Sequence, residues 1–156
     1  EFFKKLNNLM PDDGLAVIHS IGHMSPPGMA SKWLQKYIFP GAYSPALSEV
    51  FEVIEQNHLW CTDLEFLRVH YATTLKHWVD RFDANREKVV EMYDERFARM
   101  WEFYLISCEL MFRTGSQLVF HMQLSRNRDG APITRDYITD TQRDLEKLEK
   151  KLKLEL

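Results

Sequence analysis

Residues 15–23 read LAVIHSIGH, four apolar residues running straight into a histidine, a serine, an isoleucine and a glycine. A short apolar run that stops at a polar residue and then a glycine is the pattern of a buried strand delivering its carboxyl end to a site. The stretch before it, EFFKKLNNLMPDDG, puts Phe2, Phe3, Leu6 and Leu9 on one helical face and closes with a PDDG turn. Helix, turn and strand make the second half of an αβ step. The expectation is that the sequence begins in the middle of a fold, with a part of it upstream.

The Pro/Gly-punctuated segment GHMSPPGMA follows, too rigid for a random linker and too broken for a helix. SKWLQKYIF has a serine cap with Trp33, Leu34, Tyr37 and Ile38 at helical spacing, ended by PGAYSP. In SPALSEVFEVIEQN, Ser44 or Pro45 starts a helix whose apolar residues are Leu47, Val50, Phe51 and Ile54. A strand, or a strand with a bend, is predicted near residues 59–69. Two long helices span Tyr71 to Arg113 with a break near DANRE, and QLVFHMQLSR alternates as a strand before an NRDG turn. The tail carries Leu145, Leu148 and Leu152 on one face, with Glu146–Lys150 and Glu149–Lys153 spaced for ion pairs, and is predicted to be an exposed helix. Strand, helices, strand, helices, strand is an α/β pattern.

With 45% hydrophobic and 13% aromatic residues in 156, the chain can bury one real core and is not disordered. A net charge of −3 offers no domain-wide basic excess to displace phosphate counterions, which argues against nucleic acid as partner. Cys61 and Cys108 come without a secretory leader, so a reduced, cytoplasmic compartment is the simpler expectation. No apolar run reaches the length of a membrane span. The glycines at 14, 22, 28, 41, 115 and 130 form no glycine-rich nucleotide loop, and the six histidines show no zinc spacing. No nucleophile elbow is present for a serine triad.

Four blocks stand in order along the chain: IHSIG, KYIFPGAYSP, VHYATTLKHW and ERFARMWEFYLISCELMFR. Together they resemble the carboxyl-terminal half of cyclopropane-fatty-acyl-phospholipid synthases, and mycolic acid cyclopropane synthases share the pattern. The likeness covers about residues 1–130. It implies the α/β fold of class I (Rossmann-like) S-adenosylmethionine-dependent methyltransferases, a seven-stranded sheet with the cofactor over the carboxyl ends of the early strands. Residues 1–135 would be the carboxyl-terminal part of that catalytic domain and residues 136–156 a charged amphipathic terminal helix. LAVIHSI would be the fifth strand, the strands near 59–69 and 117–125 the final antiparallel pair, and the helices from 31 to 57 the cover of an acyl-chain channel.

The family transfers a methyl group from S-adenosylmethionine to the cis double bond of an unsaturated acyl chain in membrane phospholipids. The carbocation that results must lose a proton before a cyclopropane ring closes, and bound bicarbonate is the base. The resemblance makes His19, through its imidazole, Ile21, through its backbone amide, and Tyr71, through its phenol, the bicarbonate holders. Donors of that kind suit a planar oxyanion. A cysteine and a glutamate that complete the family's set are expected upstream, as is the cofactor site. Phe39, Leu75, Tyr104, Cys108 and Phe112 are implied to line the acyl channel. A peripheral position at the inner membrane follows from such a substrate, and a homodimer stays open.

Each of these residues also has a plain reading. A histidine at a strand end is often a hydrogen-bonded core residue, Tyr71 alone would be a core tyrosine, and a Tyr104–Cys108–Phe112 stripe is normally ordinary core. The Glu and Arg residues of YDERFARM read as a solvated face. Two functional alternatives accompany the cyclopropane synthase: a non-catalytic fragment or lipid-binding module without the cofactor half, and a related lipid C-methyltransferase giving a methyl branch.

Overall fold

The structure, a computed structural model, describes residues 1–152. Helix α1 (Phe2–Leu9) leads through the Pro11–Gly14 turn into strand β1 (Leu15–His23). Helix α2 (Lys32–Tyr37) begins where Ser31 Oγ accepts the Leu34 N–H at 3.1 Å, the cap the sequence predicts. Helix α3 (Leu47–Gln56) starts at Ala46 rather than at Ser44 or Pro45. Ala46 is extended (φ −68°, ψ 143°), and its N–H donates to Glu49 Oε2 at 2.8 Å, so a carboxylate one turn ahead sets the boundary. Strand β2 (Trp60–Phe66) follows, then helices α4 (His70–Asp83), α5 (Arg86–Met92) and α6 (Glu95–Thr114), strand β3 (Gln117–Ser125) and helix α7 (Asp136–Leu152).

The three strands form one sheet in the order β1-β3-β2, antiparallel at both junctions. The last strand in sequence is therefore the middle one in space. Its residues alternate between two cores, as a period of two requires. Leu118, Phe120, Met122 and Leu124 join Met10, Leu47, Val50 and Ile54 beneath α1 and α3. Val119, with Ile21 and Leu67, turns to the opposite face against Ala72, Leu75, Val79, Leu105 and Phe112 of α4 and α6. The result is helices on both faces of a sheet. Gly22 makes one close approach possible, because a Cβ there would meet the Phe120 ring at 2.9 Å and the Pro45 carbonyl at 3.1 Å.

Several expectations are corrected. The segment 71–113 holds three helices: the break at DANRE is present, and a second falls at Tyr93–Asp94, where Asp94 Oδ1 accepts the Phe97 N–H at 2.6 Å and starts α6 anew. In α1 only Phe3 and Leu6 pack on the core; Phe2 is 60% and Leu9 83% exposed, since the chain turns inward at Met10 instead. β1 is not buried throughout, and His19 lies at its middle rather than its carboxyl end. Leu15, Val17 and His19 face an uncovered side of the sheet among the described residues. The tail helix has no buried residue, as expected. Its Glu146 accepts from Gln142 at 3.1 Å instead of meeting Lys150, and the ion pairs run i,i+3, Asp140–Arg143 and Asp144–Lys147. The Glu149–Lys153 pairing involves Lys153, outside the described residues. YDERFARM is mostly solvated, yet Glu95 is held by Arg86 at 2.7 Å and Asp94 is a cap.

Candidate active site

The hydrogen-bond phase of β1 decides which way each backbone group of the site points. The Met24 N–H donates to the Ser116 carbonyl on the β3 side, and the His23 N–H donates to the Pro45 carbonyl on the opposite side. Neighbouring residues of an extended strand point their N–H groups alternately, so Ile21 shares the direction of His23. Its amide is aimed at the edge of β1 away from β3, which no other strand among the described residues occupies. A groove of about 390 Å³ runs along this edge, walled by Phe2, Phe3, Ile18, Val50 and Phe120 with His19 at its rim.

His19 and Ile21 stand two apart on one strand face. Ile21 packs against the α4–α6 core, and Tyr71, in the first turn of α4, packs against the same core. The Tyr71 ring lies 4.9 Å from Phe112 and 5.9 Å from Trp78. Phe39 meets Tyr104 edge-on at 5.9 Å, reaching in from the end of α2. The five residues implied to line a channel are thus brought to one region with Tyr71. Their burial is graded: Leu75 and Phe112 are core, Tyr104 and Cys108 are half-buried, and Phe39 is 50% exposed.

Burial pushes the Tyr104 phenol up to about 12, helped by the Cys108 thiol and Tyr71 beside it. Burial also raises Cys108, against a smaller lowering by its hydrogen bond to Tyr104. Cys61 is raised by burial and by the neighbouring Asp63. Tyr104 and Cys108 hold their protons, so this region is a low-dielectric apolar wall and not a source of thiolate, while Cys61 lies on the other face of the sheet, against the α1–α3 core.

Two polar residues of the site escaped the sequence reading. His121 Nε2 lies 2.7 Å from His19 Nδ1, and His121 Nδ1 lies 3.4 Å from Glu65 Oε2. They come from β3 and β2, and only the strand register, His19 opposite His121 and His121 opposite Glu65, makes them neighbours. The one hint in the sequence is a histidine alternating with the buried Phe120 and Met122 in VFHMQL, which puts it on the sheet face of His19. His23 is apart from this row, buried and bonded to Ser25 at 2.8 Å.

An antiparallel triplet with its last strand in the middle, and helices on both faces, matches part of a class I S-adenosylmethionine-dependent methyltransferase domain. The fold aligns with the mycolic acid cyclopropane synthase CmaA1, solved with SAH and CTAB, at a TM-score of 0.71 and 28% identity over 79% of this chain and 48% of that one. The model of the mycolic acid cyclopropane synthetase family matches residues 1–122, and the chain belongs to that family. It is 36% identical to tuberculostearic acid methyltransferase UfaA1 of Mycobacterium tuberculosis over 137 residues, 84% of this chain and 32% of that protein. It is 29% identical to cyclopropane-fatty-acyl-phospholipid synthase of Escherichia coli over 125 residues, 80% of this chain and 32% of that protein. The chain thus spans about a third of the length of these curated relatives. Among the described residues no helix is long and apolar enough to cross a membrane.

Proposed function

We propose that the protein carrying this chain methylates the cis double bond of an unsaturated acyl chain in a membrane phospholipid and closes it to a cyclopropane, working in the cytoplasm at the inner membrane surface. The observation that carries this reading is the grouping of an outward-aimed Ile21 amide, the His19 imidazole on the same strand, and Tyr71 in a half-buried aromatic wall. S-adenosylmethionine, when bound, would supply the methyl group from its sulfonium and leave as the neutral thioether. Among the described residues the strand ends carry no glycine-rich turn, and no residue of this chain is assigned to its grip. The alkene is left as a carbocation one proton too rich, and that proton must leave the new methyl group before the ring closes. Bicarbonate supplies an oxygen base for it. His19, Ile21 and Tyr71 contribute hydrogen-bond donors, which fix a planar anion while leaving one oxygen free. Phe39, Leu75, Tyr104, Cys108 and Phe112 keep water from the cation, and a wall with protonated Tyr104 and Cys108 presents it with no thiolate or phenolate. The unit 1–135 would be the catalytic part and 136–156 an appended helix.

A methyl-branched product is the second reading, favoured by the name of the 36% identical relative. Both share the carbocation. Mass spectrometry of lipids from expressing cells separates them: a ring product supports the first, a branched product the second. In the longest native polypeptide carrying this chain, His19→Ala or Tyr71→Phe should lower turnover on the order of 100-fold while leaving S-adenosylmethionine affinity unchanged. Added bicarbonate should partly restore the Tyr71→Phe enzyme. Equal loss of cofactor affinity, or full activity in both variants, would overturn the assignment.

A further inference from the structure

His19, His121 and Glu65 form a row across all three strands. The ladder phase explains its tightness. Met24 pairs with Ser116 by a backbone bond, so every second pair along β1 and β3 is bonded, and His19 with His121 falls between them. Such non-bonded pairs bring side chains closest, which fits the 2.7 Å between the rings. On the other side the Leu67 N–H donates to the Val119 carbonyl, so Glu65 opposite His121 is a bonded, wider pair, and the contact there is 3.4 Å.

A proton count follows from what each end of the row requires. The Glu65 carboxylate lies at ion-pair distance from His121 Nδ1, and its negative charge favours a hydrogen on that nitrogen. One hydrogen lies between His121 Nε2 and His19 Nδ1. An anion beyond His19 accepts only, so His19 Nε2 must carry a third. Two neutral imidazoles carry two hydrogens between them, not three. With two, either the carboxylate or the anion would face a bare nitrogen lone pair. With three, one positive charge is shared by two rings and flanked by a negative charge at each end.

Resting on the reading that His19 holds the anion, we propose that His121 and Glu65 are positioning residues which orient the His19 ring and hold one extra proton on the histidine pair, so that the site takes its oxyanion together with a proton. The groups bordering the row on the same face are otherwise occupied. From β2, Asp63 is paired with Arg135 at 2.6 Å; from β3, Gln123 bonds Tyr137 at 2.8 Å. From α4 and α6, Tyr71, Tyr104 and Cys108 lie at the Ile21 end, the last two held protonated by burial. None of these supplies the positive charge that the anion needs.

The test uses the full native polypeptide with S-adenosylmethionine and vesicles of an unsaturated phospholipid, assayed across pH. Glu65→Gln should lower kcat about tenfold, comparable to losing an outer partner of a ligating histidine, with lipid KM and cofactor affinity unchanged. It should also move the alkaline loss of activity to lower pH, because the carboxylate no longer retains the extra proton. Glu65→Asp should restore part of both. His121→Phe removes both nitrogens and should lower kcat and move the alkaline limb at least as far as Glu65→Gln does; His121→Gln, a second variant, should recover His19 orientation and kcat but not the original alkaline limb. The side chains of His121 and Glu65 are 38% and 53% exposed, so substitution spares the core. Ring nitrogen NMR should report hydrogens on both His19 Nε2 and His121 Nδ1 in the wild type with bicarbonate, the one on His121 Nδ1 being lost in Glu65→Gln. If His19→Ala is inactive while Glu65→Gln and His121→Phe keep wild-type kcat and pH profile, the proton-sharing row is overturned and the anion holder stands. If His19→Ala is fully active, the underlying reading falls instead.

Discussion

Tyr104 shows how a single side chain reports its surroundings. Its folded pKa lies above the usual phenol value, so the neutral form is favoured by folding: the contribution is fully present below pH about 10 and is lost as pH rises towards about 12. An ultraviolet titration should therefore show a late tyrosine ionisation in the native protein that Tyr104→Phe removes; a Tyr104→Phe titration identical to wild type would reassign the late group. Arg68 is a second informative residue, with φ +30° just ahead of α4. A side chain in that region costs about 1–2 kcal/mol, partly offset by the greater chain entropy that glycine loses. Arg68→Gly should thus stabilise the fold by about 0.5 kcal/mol in urea denaturation, and a destabilised variant would mean that the arginine contributes contacts exceeding the backbone cost. Tyr71 and His19 were nameable from the sequence because they sit in blocks that share a family pattern. Glu65 and His121 were not, since their meeting depends on a register linking residues 102 apart for the two histidines.

At the level of elements, the strands and most helices were legible because their signals are local. The Ser31 cap, the Leu47–Val50–Ile54 stripe and the alternation of 117–125 each state a period or a boundary within one or two turns. The division of α5 from α6 was missed, although Asp94 is a good capping residue, because the apolar spacing continues across it: Tyr93 stacks on Phe97 at 4.3 Å and Phe97 on Trp101. Periodicity concealed the stop. Asp94→Ala should cost about 1 kcal/mol, the ordinary value of an N-cap, seen as a lower urea midpoint with unchanged slope. No change would show that the aromatic stack, not the cap, begins α6. The exposure of β1 was missed for a different reason. A run of apolar residues looks the same whether both faces are covered or one is, and only the sheet order tells which.

The whole molecule is held by the central strand. Truncating Met122 or Leu124 to alanine should destabilise by about 2–5 kcal/mol, since both are fully buried and bordered by two neighbouring strands. By contrast, α7 buries nothing and touches the sheet through Arg135–Asp63 and Tyr137–Gln123. Ending the chain after Tyr137 should change stability by less than about 0.5 kcal/mol, the effect of surface changes; a larger loss measured by denaturation would mean that α7 is an integral part of the fold. The placement of β3 has a further consequence during synthesis. β1 emerges first, β2 next, and neither has the other as partner, so both wait on a strand translated last. At about 5–20 residues per second, the 102 residues separating His19 from His121 take roughly 5–20 s to make. Throughout that interval β1 and β2 lack the ladder that β3 supplies to both, and a chain ended before Gln117 would leave each without that partner, a substrate for chaperones or for aggregation.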